Sequence, residues 1–371
     1  MLFICTNVCS KSNYFGYLFR LNQKQRRLIS NNVKNIRDLA VLTGFSVSTV
    51  SRVINGKSEQ FRISAKTSEI ILKAAADHNY YPNRIARGLR LEKTETIGLI
   101  VPDIANQFFS SVAKTIELES RKNGYSIFLC DSLDDISTES ELLNLLAGRK
   151  VDGIILAPVG THSDHVTEFA KNGIPVVIID RYLPDTSIPY ITTDNYFGAC
   201  KATEHIISMG HRIIACIQGK TGISANTDRI SGYKDTLRQN NIPVDNSLIV
   251  GDDFGEENGY LQTKMLLSKA NPPTAIFALS NLISLGAMRA IAEKGLSISD
   301  DISLVSFDDQ PYSGLLASPM TTVEQEKDKI AGRAVNLLLE MISGKKDIKE
   351  IERTMIRPRL IVRNSVKNLY N

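Results

Sequence analysis

Hydrophobic positions recur along this chain with two different periods, and the change lies near residue 96. From residue 36 to residue 75, apolar side chains return every three or four positions, as they do on amphipathic helices. The pattern predicts three short helices with turns at Gly44 and at Asn55-Gly56, and with Ser46 and Ser64 as N-caps of the second and third. We expect the third helix to turn inward Thr67, Ile70, Ile71, Ala74 and Ala75.

Beyond residue 96 the apolar positions form continuous runs of strand length, at 96–102, 125–131, 151–158, 174–180, 212–218, 274–280 and 302–308. Amphipathic stretches of helix length separate most of them, near 107–122, 137–148, 163–172, 195–209, 226–240, 256–269 and 282–295. A last helix at 326–343 and a short strand at 358–363 follow. Such alternation is typical of parallel sheets covered by helices on both faces, and its length predicts two lobes.

The net charge changes sign between these two regions. Residues 1–32 and 33–95 each carry a net charge of +5, whereas residues 96–371 sum to −6. A basic head on an acidic body favours contact with a polyanion such as DNA, and a solvated basic face is the alternative.

Cysteine spacing and apolar run length indicate the compartment. The five cysteines lack the paired spacing of a disulfide framework, which favours a reducing environment. Apolar runs fall short of the about 20 residues of a membrane span, and the apolar start at residues 2–4 is too short for a signal peptide. We therefore expect a cytoplasmic protein without a membrane partner.

The segment from Gly44 to Asn55 has the pattern of a helix that enters the major groove of DNA. Inward Val50, Val53 and Ile54 would hold it against the preceding helix. Its outward residues are mostly short and polar: Ser46, Ser48, Thr49, Ser51 and Arg52. Arginine can form two hydrogen bonds with guanine, and Val47 can contact a thymine methyl group. The alternative is a helical hairpin without a nucleic-acid partner.

Several motifs, in order along the chain, resemble the lac repressor (LacI/GalR) family. In the head they are residues 46–55 (SVSTVSRVIN), 63–67 (ISAKT) and 79–86 (NYYPNRIA). In the body they are residues 96–102 (TIGLIVP), 179–181 (IDR), 209–211 (MGH) and 306–309 (SFDD). The resemblance covers residues 33 to about 366 and implies a transcriptional repressor that binds operator DNA.

The resemblance implies DNA contacts residue by residue. Val47, Ser48 and Arg52 would read bases, and Ala86 and Leu89 would enter the minor groove from a hinge helix at 83–90. Phosphate contacts are implied for Ser46, Thr49, Ser51, Asn55, Ser64, Thr67 and Asn83. The loop from Lys57 to Arg62 is longer than in the lac repressor, so the phosphate contacts beside the third helix do not carry over directly.

The body is similar to periplasmic sugar-binding proteins, which implies a carbohydrate effector between the lobes. The implied effector contacts are Asn106, Phe108, Asp180, Arg181, Phe254, Ser280, Asn281, Asp308 and Gln325. For each of them, and for Phe109 and Ser280 especially, a packing role is the alternative. Thr227 is expected where ribose- and galactoside-binding relatives have an arginine, and Asn281 where an aspartate is frequent, so the ligand's identity stays open.

The predicted fold class is α/β, with an all-α helix-turn-helix head and a two-lobed sensor of doubly wound parallel sheets, similar to periplasmic binding proteins. We expect a disordered leader at 1–32 with translation starting at Val33, the head at 33–82, the hinge and linker at 83–94, and the sensing and dimerisation domain at 95–366. The near lobe is expected at about 95–192 and 327–354, and the far lobe at about 193–326 and 355–366. No heptad helix follows Arg363, so a homodimer is expected.

Three patterns that imitate enzyme or metal sites fail on inspection. Gly219-Lys220-Thr221 lacks the first glycine of a phosphate-binding loop, since residue 214 is Ile. His162 and His165 have no third ligand nearby, so plain surface histidines are expected, and Asp308-Asp309 has no acid partner. We expect no catalysis, cofactor or metal, but a regulator whose operator affinity depends on the effector. The alternatives are a soluble sugar-binding protein and an enzyme on the same two-lobed fold.

Overall fold

The computed structural model describes residues 33–80, 93–345 and 352–370. It separates into two compact units between Thr94 and Glu95. The predicted leader and residues 83–92 of the predicted hinge lie outside the described residues. Within the described ranges, no helix is both long enough and apolar enough to cross a membrane.

The described part of the first unit contains three helices, α1 (Ile36–Thr43), α2 (Val47–Ile54) and α3 (Ala65–Asp77). Asn35 caps α1 by accepting the backbone N–H groups of Arg37 and Asp38, and the Asp38 carboxylate accepts the N–H of Asn35 in return. Gly44 ends α1 in the left-handed region at φ 77°, a conformation that suits glycine. The turns and the Ser46 and Ser64 caps predicted from the sequence are present.

The three helices enclose a small core of Leu39, Val50, Val53 and Ile71, each at most 2% exposed. Ile70 was expected to face inward as well, but this expectation is wrong because its side chain is 43% exposed. Adjacent helical positions point about 100° apart. The third helix therefore buries Ile71 and leaves Ile70 in solvent.

The near lobe, which combines the first part of the second unit with segments near the end of the chain, is a six-stranded parallel sheet with helices on both faces. Its strands are β1 (Thr96–Val101), β2 (Ser126–Asp131), β3 (Gly153–Leu156), β4 (Val176–Ile179), β5 (Tyr190–Thr193) and β11 (Arg353–Ile356), in the spatial order β11-β5-β4-β3-β1-β2. Its helices are α4 (Gln107–Lys122), α5 (Ile136–Gly148), α6 (Asp164–Ala170) and α11 (Lys327–Ile342). Ile97, Leu99 and Val101 pack on the α4 and α11 face, and Ile100 on the α5 face, as the alternation of a strand requires.

The far lobe repeats this architecture. Its strands are β6 (Ile214–Ile217), β7 (Ile249–Val250), β8 (Ala275–Ala278), β9 (Ser303–Phe307), β10 (Thr321–Glu324) and β12 (Arg359–Ile361), in the order β12-β10-β9-β8-β6-β7. Only the β10–β12 pair among these is antiparallel. Its helices are α7 (Asn195–Ser208), α8 (Ser224–Gln239), α9 (Glu256–Leu267) and α10 (Asn281–Glu293). The predicted pair of parallel-sheet lobes is therefore confirmed.

Four short strands, β5, β7, β10 and β11, have no counterpart among the predicted apolar runs. The strands β5 and β10 were not predicted because they contain threonines, which are polar but nevertheless buried here: Thr192, Thr193, Thr321 and Thr322. Their hydroxyls bond groups of neighbouring segments; that of Thr192, for example, donates to the backbone oxygen of Asp180 at 2.5 Å. Hydrogen bonds of this kind offset the free-energy cost of burying a polar residue. A search for apolar periodicity in the sequence does not find strands that are buried in this way.

Candidate functional site

A cleft between the lobes lies at the carboxyl ends of strands from both sheets, where ligands bind in open α/β folds. Asp180 directly follows β4, and Asp308 directly follows β9. Both residues adopt a left-handed backbone, at φ 65° for Asp180 and 74° for Asp308. The two lobes thus present one aspartate each, in the same local conformation.

The structure brings all nine residues predicted for the effector together around a single cavity of about 60 Å³. Its lining is Asn106, Phe108, Phe109, Asp180, Arg181, Ala225, Arg229, Phe254, Ser280, Asn281, Asp308 and Gln325. Three of these, Phe109, Ala225 and Arg229, were not among the nine. A vestibule of about 450 Å³ shares Asn106, Phe109, Arg181 and Phe254 with the cavity and includes Lys220 and Asp253.

Arg229 supplies a positive charge from α8 to the floor of the cleft. Its Nε donates to Asn195 Oδ1 at 2.8 Å, and its guanidinium donates to the backbone oxygen of Leu279 at 2.6 Å. The guanidinium carbon lies 3.6 Å from the centroid of the Phe307 ring. Burial lowers the pKa of Arg229, and the carboxylates of Asp308 and Asp180 oppose that shift. The arginine is therefore fixed in place before any ligand contact.

The two cleft aspartates have different partners. Asp308 accepts a hydrogen bond from Gln325 Nε2 at 2.5 Å, and the Gln325 oxygen accepts the hydroxyl of Thr193. Asp180 lies 3.4 Å from Arg181 Nε. Burial raises the pKa of Asp180, while Arg181 and Arg229 counteract the shift. The cleft therefore combines hydrogen-bond acceptors with fixed donors.

Aromatic rings form the walls of the cleft. The rings of Phe108 and Phe109 meet edge to face at 5.1 Å between centroids. From the far lobe, the ring of Phe254 lies 5.5 Å from the guanidinium carbon of Arg181. A Cβ at residue 219 would collide with the ring of Phe254, which explains the glycine there. Gly219 therefore makes room for a cleft wall, and its likeness to a phosphate-binding loop is incidental.

Polar contacts hold the two lobes together in a closed arrangement. Asn281 Nδ2 donates to Asn106 Oδ1 at 3.2 Å across the cleft. Tyr182 reaches from the near lobe to α8, where its backbone N–H donates to Ser224 Oγ at 2.9 Å and its hydroxyl to Asp228 Oδ1 at 3.1 Å. The cavity is well below the roughly 300 Å³ at which pockets for drug-sized ligands begin. The cavity alone therefore holds no ligand of that size unless the lobes separate.

Two expectations about single residues are wrong. Thr227 is exposed and bonds the backbone oxygen of Ile223 in its own helix, so it does not stand in the position of the arginine of related sugar-binding proteins. Arg229, half a turn further along α8, supplies that charge. A helical stripe of buried positions at Ala225, Arg229 and Gly232 was the signal that could have identified it.

His165 is not a plain surface histidine. Its Nε2 lies 2.6 Å from an oxygen of Glu139, which is fully buried and also accepts the backbone N–H of Val159 at 2.8 Å. His162 is exposed, as expected. Over the described residues, no group of three or more histidine, cysteine or acidic side chains is arranged to hold a metal ion.

In the head, the three residues predicted to read bases, Val47, Ser48 and Arg52, are all exposed on α2. The hydroxyls of Ser46 and Thr49 meet at 2.8 Å at the start of α2, and those of Ser64 and Thr67 at 2.9 Å at the start of α3. At the other end of α2, Asn55 Nδ2 donates to the backbone oxygen of Ser51 at 2.6 Å. Asn83, Ala86 and Leu89 lie outside the described residues.

Family models match both units. Residues 35–83 match the bacterial regulatory proteins of the lacI family, and residues 94–365 match the periplasmic binding proteins and sugar binding domain of the LacI family. The chain is 33% identical over 334 residues to the HTH-type transcriptional repressor PurR of Actinobacillus pleuropneumoniae, covering 90% of this chain and 98% of that protein. It is also 33% identical over 344 residues to the HTH-type transcriptional regulator DegA of Bacillus subtilis, covering 90% and 98%.

Solved structures agree with these matches. The lac repressor dimer bound to operator and an anti-inducer has a TM-score of 0.77 at 27% identity, covering 88% of this chain and 97% of that one. A LacI family regulator of Enterococcus faecium with bound ribose has a TM-score of 0.67 at 30% identity (74% and 99% covered), and a CelR–cellobiose complex 0.68 at 28% (89% and 99%). These relatives are regulators and not enzymes. The chain belongs to the LacI family of DNA-binding transcriptional regulators.

Proposed function

We propose that this protein is an operator-specific repressor whose DNA affinity is set by a carbohydrate bound between its lobes. The composition of the closed cleft carries the proposal. Two carboxylates, two guanidinium groups and several amides surround one small volume with phenylalanine walls. Carboxylate and guanidinium groups offer the paired, planar geometry that suits neighbouring hydroxyls, and the rings suit the apolar face of a sugar.

The proposal extends to the size of the effector. A monosaccharide requires less separation of the lobes around the cavity of about 60 Å³ than a disaccharide does. One solved family member carries bound ribose, and its identity to this chain is 30%. We therefore propose ribose, or a pentose of similar shape, as the effector.

Thermal unfolding with a panel of compounds tests the ligand class. The panel contains ribose, other pentoses, cellobiose and a purine base, which can stack on the phenylalanine rings but has no vicinal diol. A ligand raises the free energy of unfolding by RT ln(1 + [L]/Kd), so the tightest binder shifts the melting temperature most. If only the purine base raises the melting temperature, the carbohydrate proposal is wrong and a purine effector takes its place.

Operator binding is proposed to use α2 in the major groove. Val47, Ser48 and Arg52 would contact base edges, which their exposure permits. Phosphate contacts are proposed for Ser46, Thr49, Ser51, Asn55, Ser64, Thr67 and Asn83, and minor-groove contacts for Ala86 and Leu89. An electrophoretic shift on the DNA upstream of the protein's own gene, with and without ribose, tests repression and the direction of the response. A protein that binds operator DNA must be in the compartment that contains the chromosome, so the proposed function agrees with the cytoplasmic location expected from the sequence.

A homodimer is the proposed assembly, because two-fold operators are bound by paired recognition helices. Exposed apolar side chains on α9 and α10 support it, with Leu261 52%, Met265 47% and Leu285 37% exposed. We expect Leu285→Glu to give a monomer in light scattering and to lose operator affinity while keeping its effector affinity. A Leu285→Glu protein that remains dimeric would place the interface elsewhere.

A further inference from the structure

The turn between α2 and α3 brings an aromatic ring against the arginine that is proposed to read bases. The Cζ atom of Arg52 lies 3.9 Å from the centroid of the Phe61 ring. Both side chains are exposed, and Phe61 retains 41% of its accessible surface. Among the residues that the structure describes, none forms a hydrogen bond or ion pair with the Arg52 guanidinium. The ring is therefore its one side-chain partner within the described head.

The turn that carries Phe61 is fixed by its own hydrogen bonds. The N–H of Lys57 donates to the backbone oxygen of Arg52 at 2.9 Å, and the N–H of Ile63 donates to that of Ser58 at 2.9 Å. The hydroxyl of Ser68 in α3 donates to the hydroxyl of Ser58 at 2.9 Å, which ties the turn to the third helix. The ring thus stands on an ordered support next to α2.

A guanidinium that lies face-on to an aromatic ring keeps its hydrogen-bonding edge free. A cation–π contact uses the flat face of the group, whereas its five N–H donors point outward in the plane. Guanine is recognised by two such in-plane donors, which bond O6 and N7. An arginine side chain also has considerable rotamer freedom, so one that is held in place beforehand loses less entropy when it binds.

We propose that Phe61 is a specificity-determining residue that positions the Arg52 guanidinium for its base contact. The inference rests on the proposed base-reading role of Arg52. It gives a function to the turn at residues 57–62, the segment whose length departs from the lac repressor pattern. Because Phe61 acts through Arg52, it is a positioning residue and needs no DNA contact of its own.

The test measures base preference at every operator position by selection from a randomised DNA pool, using the full chain. The variants are Arg52→Ala, Phe61→Ala, Phe61→Tyr, Phe61→Leu and the double variant Arg52→Ala/Phe61→Ala. We expect Phe61→Ala to lower affinity for the preferred operator about 2- to 13-fold, because the freed Arg52 side chain must then be immobilised when it binds. Its preference should weaken at the same base pair that Arg52→Ala affects. The double variant should bind no more weakly than Arg52→Ala alone, because the two residues act as one unit.

The conservative variants distinguish the effect of the aromatic ring from the effect of side-chain size. Phe61→Tyr keeps the aromatic face and should restore both affinity and preference, whereas Phe61→Leu keeps an apolar side chain and should restore neither. Leu72→Ala, which removes a 51% exposed apolar side chain from α3, is the matched control and should change neither. If Phe61→Ala unfolds the head in a melting experiment, the contrast between Phe61→Leu and Phe61→Tyr decides the question.

The outcomes distinguish this inference from the function on which it rests. If Arg52→Ala alters preference at one base pair and Phe61→Ala alters none, the positioning role is overturned. If Phe61→Ala alters a different base pair, the ring contacts DNA itself, and the positioning role is equally overturned. If Arg52→Ala alters no base pair at all, the base-reading role of Arg52 fails first.

Discussion

The head and the cleft hold their candidate contact residues in opposite states. In the head, Val47, Ser48 and Arg52 stand exposed on α2. In the cleft, Asp308 and Arg229 are 7% and 4% exposed, and each already has hydrogen-bond partners within the protein. The proposed DNA-reading surface is thus solvated before binding, whereas the cleft is desolvated and internally bonded.

This difference decides how much one side chain contributes at each place. Removing one partner of a buried charge cluster strands the remaining charges away from water, at about 3–5 kcal/mol. Removing an exposed side chain leaves groups that water can satisfy, so the loss is limited to the contact itself. We therefore expect the largest effects in the cleft, smaller ones in the head, and the smallest at exposed bridges between the lobes.

Arg229→Ala has the largest expected effect. It strands the carboxylates of Asp180 and Asp308 and leaves Asn195 without a hydrogen-bond donor, so the free energy of unfolding should fall by about 3–5 kcal/mol. Effector affinity should fall as well, because the cleft loses a fixed set of guanidinium donors. Calorimetric titration measures the loss. Arg238→Ala, in the same helix but on the surface with its side chain 62% exposed, is the control and should bind the effector normally. Similar losses in both variants would break the contrast between buried and exposed arginines.

The same arginine shows where sequence reasoning reaches its limit. The nine predicted contacts follow strand ends or helix starts, where local motifs fix their places. Arg229 lies in the middle of α8, so its arrival in the cleft depends on which face of that helix packs inward. A shift of two positions separates it from Thr227, and on a helix two positions mean nearly opposite faces. A displacement of two residues, which leaves the predicted fold unchanged, therefore separates a buried charge from a solvent-exposed hydroxyl.

The fold itself was more accessible than the site. Long apolar strands and amphipathic helices were predicted within a few residues, because burial on two faces imposes their periodicity. The threonine-rich β5 and β10 were not, since their burial depends on partners distant in sequence, such as Gln325 for Thr193. The contact between Arg52 and Phe61 was missed for a related reason, because it depends on how the turn between α2 and α3 folds back.

Asp180→Ala should have the second largest effect and tests whether sensing and DNA binding are separable. It removes the proposed acceptor of two ligand hydroxyls in a closed cleft, at about 1–3 kcal/mol each, so effector affinity should fall at least tenfold. Operator affinity without effector, measured by electrophoretic shift, should stay nearly unchanged. Loss of operator binding by the ligand-free variant would contradict the separation.

Arg52→Ala should cost on the order of 1–3 kcal/mol on the preferred operator and relax preference at one base pair. Thr49→Ala should instead weaken binding to all sequences about equally, because phosphate contacts carry no base information. Fluorescence titrations on specific and random DNA compare the two. Equal losses of Arg52→Ala on both DNAs would refute its base-reading role.

Effector binding should weaken at low pH. Burial raises the pKa of Asp180 above its ordinary 3.8, against the opposing charges of Arg181 and Arg229. Lowering the pH through that raised pKa protonates an acceptor, so effector affinity should fall, by at most about tenfold per pH unit. The contribution of this carboxyl to the stability of the ligand-free protein has the opposite sign. Its pKa is higher in the folded than in the unfolded state, so that contribution grows as the pH falls through the same window. Asp180→Asn should flatten the affinity profile, and a wild-type profile that stays flat as the pH is lowered to the ordinary pKa of an aspartate would contradict the assignment.

Lys220→Gln should have the smallest effect, because its ion pair lies at the solvent-exposed mouth of the cleft. Lys220 of the far lobe pairs with Asp134 of the near lobe, and the two side chains are 38% and 29% exposed. Exposed pairs contribute about 0.2–1 kcal/mol and are screened by salt. The pair joins the lobes, so its loss favours the open arrangement and should lower effector affinity less than about fivefold at low salt. The difference from wild type should vanish as salt is added.

Lys201→Gln, which breaks an exposed pair with Glu204 inside α7, is the matched control, since it bridges no lobes and should leave affinity unchanged. A loss of tenfold or more that persists at high salt would mean that an exposed bridge governs closure, and the contrast between buried and exposed groups would no longer predict their effects.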